Sequence, residues 1–185
     1  MLNWLRNRSR RQRTARDFYG SIVTAARQPR FYAADRVPDT AEGRLEILAL
    51  HLVAVLDRLQ RMGAAGRPLA RELGEVFIAD MDDNMRELGV GDLAVPRKVK
   101  RMAALLSDRY TAYLAEPGGG IGALALAIER QVHMLPGGRA ADCTALAHHL
   151  SALVAALAGQ HDADLLAGRV TLDLAAPDAR MGTRA

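Results

Sequence analysis

Cysteine is almost missing from this chain. Cys143 stands alone, which excludes an internal disulfide and a cysteine-built zinc site. It fits a reducing compartment. Aromatic residues are scarce too, limited to Trp4, Phe18, Tyr19, Phe31, Tyr32, Phe77, Tyr110 and Tyr113. β-branched residues are few, while alanine and leucine abound, a mixture that favours helix over sheet. Long apolar runs are absent. Thr144–His161 has no formal charge but carries His148, His149, Ser151 and Gln160. Leu45–Leu56 is interrupted by Glu46 and His51 and is too short to span a bilayer. No apolar stretch follows the first arginines, so a secretory signal is not expected. MLNWLRNRSRRQRTAR is Arg-rich and acid-poor, as a transit peptide is, and equally suits a retained basic arm.

What is present is enough chain, at 185 residues, for one domain with a substantial core. The net charge of +4 is unevenly placed. Residues 1–30 hold eight arginines against Asp17, a local +7, which leaves −3 for residues 31–185. The basicity therefore belongs to an N-terminal arm and not to the body. Arginine outnumbers lysine 23 to 2.

Proline and glycine punctuate a series of helical patterns. A first helix is predicted from about Thr14 to Gln28, stopped by Pro29. Asp39 or Thr40 caps a second, with Glu42 placed to help. It runs to about Met62, before GAAG, and its apolar residues surround most of the axis, the pattern of a central helix. A third begins near Pro68 and ends at Gly89. A fourth runs from about Pro96 to Ala115, with Val99, Met102, Ala103, Leu106, Tyr110, Tyr113 and Leu114 as an apolar stripe. EPGGG then breaks the chain. Further helices are predicted over Ile121–Met134, Asp142–Ala158 and, briefly, Asp162–Ala167. No strand and no internal repeat is evident. The expected fold is all-α: a single bundle-like domain of six to seven helices, with a basic arm and first helix over 1–30, a helical domain over 31–170 and a flexible tail over 171–185.

The candidate sites centre on FIADMDDNMRELGVGDLAVPRKVKRM. Three aspartates fall within four positions, Asp80, Asp82 and Asp83, but they do not converge on a helix. Asp80 and Asn84 lie within the apolar arc of the third helix, whereas Asp82 and Arg86 lie outside it. A dinuclear site would want Glu-x-x-His pairs on two helices, and the spacing matches no calcium loop. An aspartate in an apolar arc needs a partner, either a structural salt bridge to a neighbouring helix or a polar spot in a partner groove. Arg97, Lys98, Lys100 and Arg101 open the fourth helix, where cations oppose the helix dipole. They read as a solvated face or as a docking surface. His148 and His149 point about 100° apart and read, with His161, Asp162 and Asp164, as structural or surface residues. Nucleophile motifs and a phosphate-loop lysine are absent. In the arm, Trp4 with Arg6, Arg8, Arg10, Arg11 and Arg13 suits an anionic membrane surface or nucleic acid.

Three segments carry a resemblance: FYAADRVPDTAEGRLEILALHLVAVLDRL, LGEVFIADMDDNMRELGVGDLAVPRKVKRM and DRYTAYLAE. Together they resemble the ubiquinol–cytochrome c chaperone family over roughly Phe31–Ala115, with a weaker echo beyond. The block F-x-x-D-M-D-x-x-x-R-E-x-G-V-G-D, Phe77–Asp92, is long and specific. One departure is that Leu105, Leu106, Ser107 and Asp108 stand before Arg109, where the family would place an aromatic and a glycine. The resemblance implies an assembly factor and not an enzyme, with no cofactor. Its client would be newly made cytochrome b, held until haem insertion and assembly of the cytochrome bc1 complex. The mitochondrial members work with a small partner protein near the ribosome. A bacterial member would act at the cytoplasmic face of the inner membrane, in peripheral contact with anionic lipid and without specific DNA. Candidate partner-binding residues are Phe77, Asp80, Met81, Asp82, Asn84, Arg86, Asp92, Arg97, Lys98, Lys100 and Arg101. A basic nucleic-acid- or membrane-surface-binding protein is the alternative, and a helical metalloenzyme ranks below both.

Overall fold

Prolines and glycines separate seven α-helices among the described residues, as a computed structural model shows. It describes residues 2–32, 37–87, 95–115, 119–135 and 143–174, with residues 2–8, 84–87, 95–99 and 115 described by backbone alone. The helices are α1 (Leu2–Ala26), α2 (Ala41–Arg61), α3 (Arg67–Glu87), α4 (Val95–Tyr110), α5 (Gly120–His133), α6 (Thr144–Ala158) and α7 (Asp162–Leu166). A 3-10 turn at Pro29–Phe31 follows α1, and a π-helical turn at Thr111–Ala115 extends α4. Among the described residues there is no strand. The fold is all-α.

α2 is the central helix that its sequence predicts. Thr40 is its N-cap, and the Thr40 hydroxyl accepts from the Gly43 amide at 3.1 Å. Gly43 is required there, because a Cβ would lie 1.9 Å from the Pro38 carbonyl oxygen. Burial then runs almost unbroken from Glu46 to Val55 and returns at Asp57 and Leu59. Two helix pairs flank this axis. α1 and α3 pack on each other and on α2, while α5 and α6 pack on each other and on α2. α4 and the π turn lie across α2 as well. The GAAG segment turns the chain from α2 into α3: Gly63 takes a positive φ of 62°, and Gly66 sits so close to the Leu59 carbonyl oxygen that a Cβ would lie 2.0 Å from it.

Two ends of the chain differ from expectation. The first helix begins at Leu2, not near Thr14, so the basic arm is the N-terminal half of α1. Residues 2–13 contain neither glycine nor proline, and arginine, leucine and glutamine are good helix formers; that propensity outweighs the repulsion among the arginines. The tail is also tied down further than expected. Thr171–Leu174 is held by Gln160, whose side-chain amide donates to the Thr171 carbonyl and accepts from the Thr171 amide, both at 2.9 Å. Arg30 Nη1 donates to the Leu174 carbonyl at 2.9 Å, and Leu172 is buried. Residues 175–185, the rest of the expected flexible tail, lie outside the described residues.

Candidate functional site

The polar chemistry of the interior gathers on α2. At about 100° per residue, eleven positions bring a helix back to within about 20° of its starting direction, so Glu46 and Asp57 share one face. Both are buried, Glu46 to 3 % exposure. α4 and the π turn supply all of their partners but Arg61, which lies on α2 itself. Arg109 Nε donates to both Glu46 carboxylate oxygens at 2.8 and 2.9 Å, and Arg109 Nη2 reaches Oε2 at 2.7 Å. The Tyr113 hydroxyl donates to Glu46 Oε1. At the other end, Tyr110 donates to Asp57 Oδ1 at 3.1 Å, and Arg61 Nε to Asp57 Oδ2 at 2.6 Å. Burial, reinforced by the Glu46 charge and hydrogen bond, pushes the Tyr113 hydroxyl far above the usual phenol range. These tyrosines therefore stay protonated and donate.

The opposite face of α2 carries His51 and Arg58, seven positions apart and again nearly aligned. Arg58 ties α2 to the C-terminal end of α6. Its Nε donates to the Leu157 carbonyl and its Nη2 to the Gln160 carbonyl, each at 2.9 Å, and Nη2 also reaches Asp162 Oδ1 at 2.5 Å. A cation there complements the helix dipole. His51 is wholly buried. Its Nδ1 lies 2.8 Å from the Ile47 carbonyl oxygen, and its Nε2 lies 3.0 Å from His149 Nε2. The carbonyl can only accept, so His51 Nδ1 carries the hydrogen. His51 Nε2 is then the acceptor and His149 Nε2–H the donor. Phe31 packs edge-on against both rings, 5.3 Å from His51 and 4.9 Å from His149 between centroids. Burial holds His51 down to about 4. Burial, with the neighbouring His51 and Arg30, holds His149 down to about 3. Both imidazoles are neutral at neutral pH.

The same tyrosine–carboxylate chemistry joins α1 to α3. Tyr19 donates to Asp80 Oδ2 at 2.7 Å, and its ring meets Phe77 edge-on at 6.4 Å. Asp80 was expected to pair with a basic residue of a neighbouring helix or to lie in a partner groove; a tyrosine hydroxyl is one partner the structure gives it. Phe77 is wholly buried and packs in the core. Met81 and Asp82 are half-buried on α3, and Lys100 and Arg101 are exposed on α4. The side chains of Asn84, Arg86, Arg97 and Lys98 lie outside the described residues, as does Asp92 with the whole α3–α4 connection. In the N-terminal half of α1, Arg10 and Arg13 are exposed and Arg11 is half-buried, while the side chains of Trp4, Arg6 and Arg8 are not described. Among the described residues no three His, Cys, Asp or Glu side chains gather as a metal ion would require. Pairing Glu46 with Arg109 and His51 with His149 was beyond sequence reasoning. The signal available was an ionisable residue inside a helix apolar on all sides, at spacings of seven and eleven.

Two predictions follow from these joints. Removing one partner of a buried ion pair leaves the other uncompensated, at about 3–5 kcal/mol. Arg109→Ala should therefore lower unfolding stability by that order in a denaturant titration, and Glu46→Leu/Arg109→Met should lose less than Arg109→Ala. A double variant as unstable as the single one would contradict the assignment. The histidine pair sets a pH dependence of definite sign. An unfolded histidine binds its proton near pH 6.5 while the folded pair resists it, so stability is full above pH 6.5 and falls as pH drops towards about 4. His51 alone contributes about 1.4 kcal/mol per pH unit in that window. The thermal midpoint of His51→Gln should fall less steeply between pH 6.5 and 4 than that of the unaltered protein; equal slopes would contradict it.

The comparisons with known proteins accord with this architecture. The family described as ubiquinol-cytochrome C chaperone matches residues 34–172, which carries the likeness past the motifs before Ala115 and through α5 and α6. No curated protein sequence matches the chain. Among solved structures, the crystal structure of the Cbp3 homolog from Brucella abortus superposes with a TM-score of 0.78 at 34 % sequence identity. The alignment covers 92 % of this chain and 94 % of that one. Over that extent and identity the relationship is one of family and not of fold alone, and this chain belongs to the ubiquinol-cytochrome C chaperone family.

Proposed function

We propose that this protein is an assembly chaperone of the cytochrome bc1 complex, and that it binds newly made cytochrome b. The observation that carries this reading is the family match over residues 34–172. The role proposed is one of binding, and the buried polar groups of α2 are engaged in joining helices. No helix among the described residues is long and apolar enough to cross a membrane, so contact with a membrane would be peripheral.

α1 supplies a means for that contact. Its N-terminal half is a helix with Arg6, Arg8, Arg10, Arg11 and Arg13 beside Trp4, and its first acidic residue is Asp17. A basic helix of this kind is drawn to anionic lipid by about 1 kcal/mol per cation near the surface. It would hold the protein at the cytoplasmic face of the inner membrane of a bacterium, where a multi-span client emerges. The α3–α4 hairpin offers the recognition surface, with Met81, Asp82, Asn84, Arg86 and Asp92 on one arm and turn and Arg97, Lys98, Lys100 and Arg101 on the other. Asp80 contributes through its anchoring of α3 to α1.

The reading is tested in cells of the source organism that lack the protein. Cytochrome b and assembled bc1 complex should fall severalfold in membrane difference spectra and native gels, with the other respiratory complexes retained. Equal loss of all respiratory complexes would overturn it.

A further inference from the structure

α7 ends in a glycine turn that launches a strap along α1. Gly168 takes a φ of 84°, its amide donates to the Leu165 carbonyl, and the Arg169 amide reaches back to the Asp164 carbonyl at 2.9 Å, the pairing that closes a helix on a left-handed residue. A Cβ on Gly168 would lie 3.3 Å from Thr14 Cγ2, while Asp173 meets Gln28. α1 rises about 20 Å between Thr14 and Gln28, and the few residues from Gly168 to Asp173 bridge that span only as extended chain. Among the described residues four hydrogen bonds hold the strap, Val170–Leu174, and three of them fall on its backbone. Gln160 grips Thr171 at both its amide and its carbonyl, each at 2.9 Å, and Arg30 donates to the Leu174 carbonyl at 2.9 Å. Only Gln28, 3.4 Å from Asp173 Oδ1, meets a side chain. Leu172 is the one buried residue of the five; Thr171 and Asp173 are exposed. The seat is also wider than the strap. A groove of about 630 Å³ opens between Leu172 and Asp173 on one wall and Arg16, Ser21 and Thr24 on the other, and a Cβ on Gly20 would meet nothing within 4 Å.

We propose that this seat is a peptide-binding groove occupied in cis by the strap, and that an extended segment of the client displaces the strap from it; the identity of that occupant rests on the chaperone reading above. A primary amide that meets both the N–H and the C=O of one residue recognises main chain and not sequence. Main-chain bonds then give affinity and a side-chain pocket gives specificity, as where an extended peptide adds to a sheet edge. The seat fits an extended stretch with an apolar side chain at the Leu172 position and an acidic one next, because Gln28 donates to the Asp173 carboxylate and Arg27 and Arg30 flank Gln28 in the chain. A client still being made presents such stretches, since its backbone groups are not yet paired. The strap is also suited to yield. It contributes one buried side chain and its polar bonds lie near the surface, the pattern of a segment that opens without unfolding the rest. Because it is tethered, it competes at an effective concentration on the order of millimolar. That excludes stray peptides and admits a client segment held close by other contacts.

The test uses the full chain, with a dye-labelled, end-capped peptide of residues 169–174 as the probe. Leu172→Asp releases the strap, because its seat would bury a carboxylate, and this variant should bind the peptide at least tenfold more tightly than the unaltered protein. Leu172→Asp/Gln160→Ala should lose that gain with the same thermal midpoint, and the Leu172→Asp form of the peptide should not bind. Equal binding by all three proteins, or none by Leu172→Asp, would overturn the inference and leave the chaperone reading intact. Client occupancy is read on the tagged protein with a photo-crosslinking residue at position 24, in membranes from cells making cytochrome b. Crosslinks to cytochrome b should form, rise with Leu172→Asp, and fall at least fivefold with Gly20→Trp, which fills the open part of the groove. Cytochrome b captured without crosslinks at position 24, or with crosslinks that Gly20→Trp leaves unchanged, would overturn the inference while the chaperone reading stands. If the unaltered protein captures no cytochrome b at all, the chaperone reading falls and this inference falls with it.

Discussion

α2 is enclosed by other helices along most of its length, yet its enclosed part carries Glu46, His51, Asp57 and the largely covered Arg58, and each must find its partner inside the protein. Glu46 takes Arg109 and Tyr113, and Asp57 takes Tyr110 and Arg61. His51 takes His149, and Arg58 takes the end of α6. Apolar burial alone is non-directional and would let these helices slide or exchange places. The polar groups remove that freedom: one face of α2 accepts only the helix that brings Arg109 and its tyrosines, and the other only the helix that brings His149. The buried pairs need not add net stability to do this, since a well-packed apolar replacement is often as stable. Their contribution here is to fix which helix lies where.

Tyrosine is the recurring connector. The chain has few aromatic residues, and three of its four tyrosines spend their hydroxyls on a carboxylate of a different helix. The fourth, Tyr32, donates to the Ala26 carbonyl at the end of α1. A phenol suits this task because its ring supplies apolar contact while its hydroxyl offers a hydrogen bond without a second charge. With the interior locked in this way, the variable chemistry is on the outside. It is sorted there by helix pair, basic and mixed on α1 and α3, while α5 and α6 carry only Glu129 and Arg130 as formal charges.

Much of the fold was legible in the sequence because its helices obey local rules. Thr40 caps α2, the glycines around residue 63 turn the chain, and all-round apolar spacing marks α2 as central. Each of these depends on neighbours a few positions away. The joints were not legible, because Arg109 and His149 lie 63 and 98 positions from the residues they meet. His149 reads as a surface histidine until α6 is laid on α2. The first helix was placed too late because the arginine-rich start was read as a basic arm, whereas its arginines, leucines and glutamine are good helix formers and no glycine or proline interrupts them. The docking of Thr171–Leu174 depends on the side chains of Gln160 and Arg30 reaching backbone groups, for which a sequence carries no periodic signal. Of the residues that the family motif singled out, the sequence did not distinguish Phe77, which is wholly buried in the core, from Met81 and Asp82, which are partly exposed.

The central claim is that this protein holds newly made cytochrome b. The most direct test is a brief pulse of labelled synthesis, followed by affinity purification of the tagged protein from detergent-solubilised membranes. Labelled cytochrome b should dominate the purified material and leave it during a chase, as bc1 complex forms. Purification of nucleic acid or ribosomal proteins alone, with no labelled cytochrome b at any time, would contradict the account.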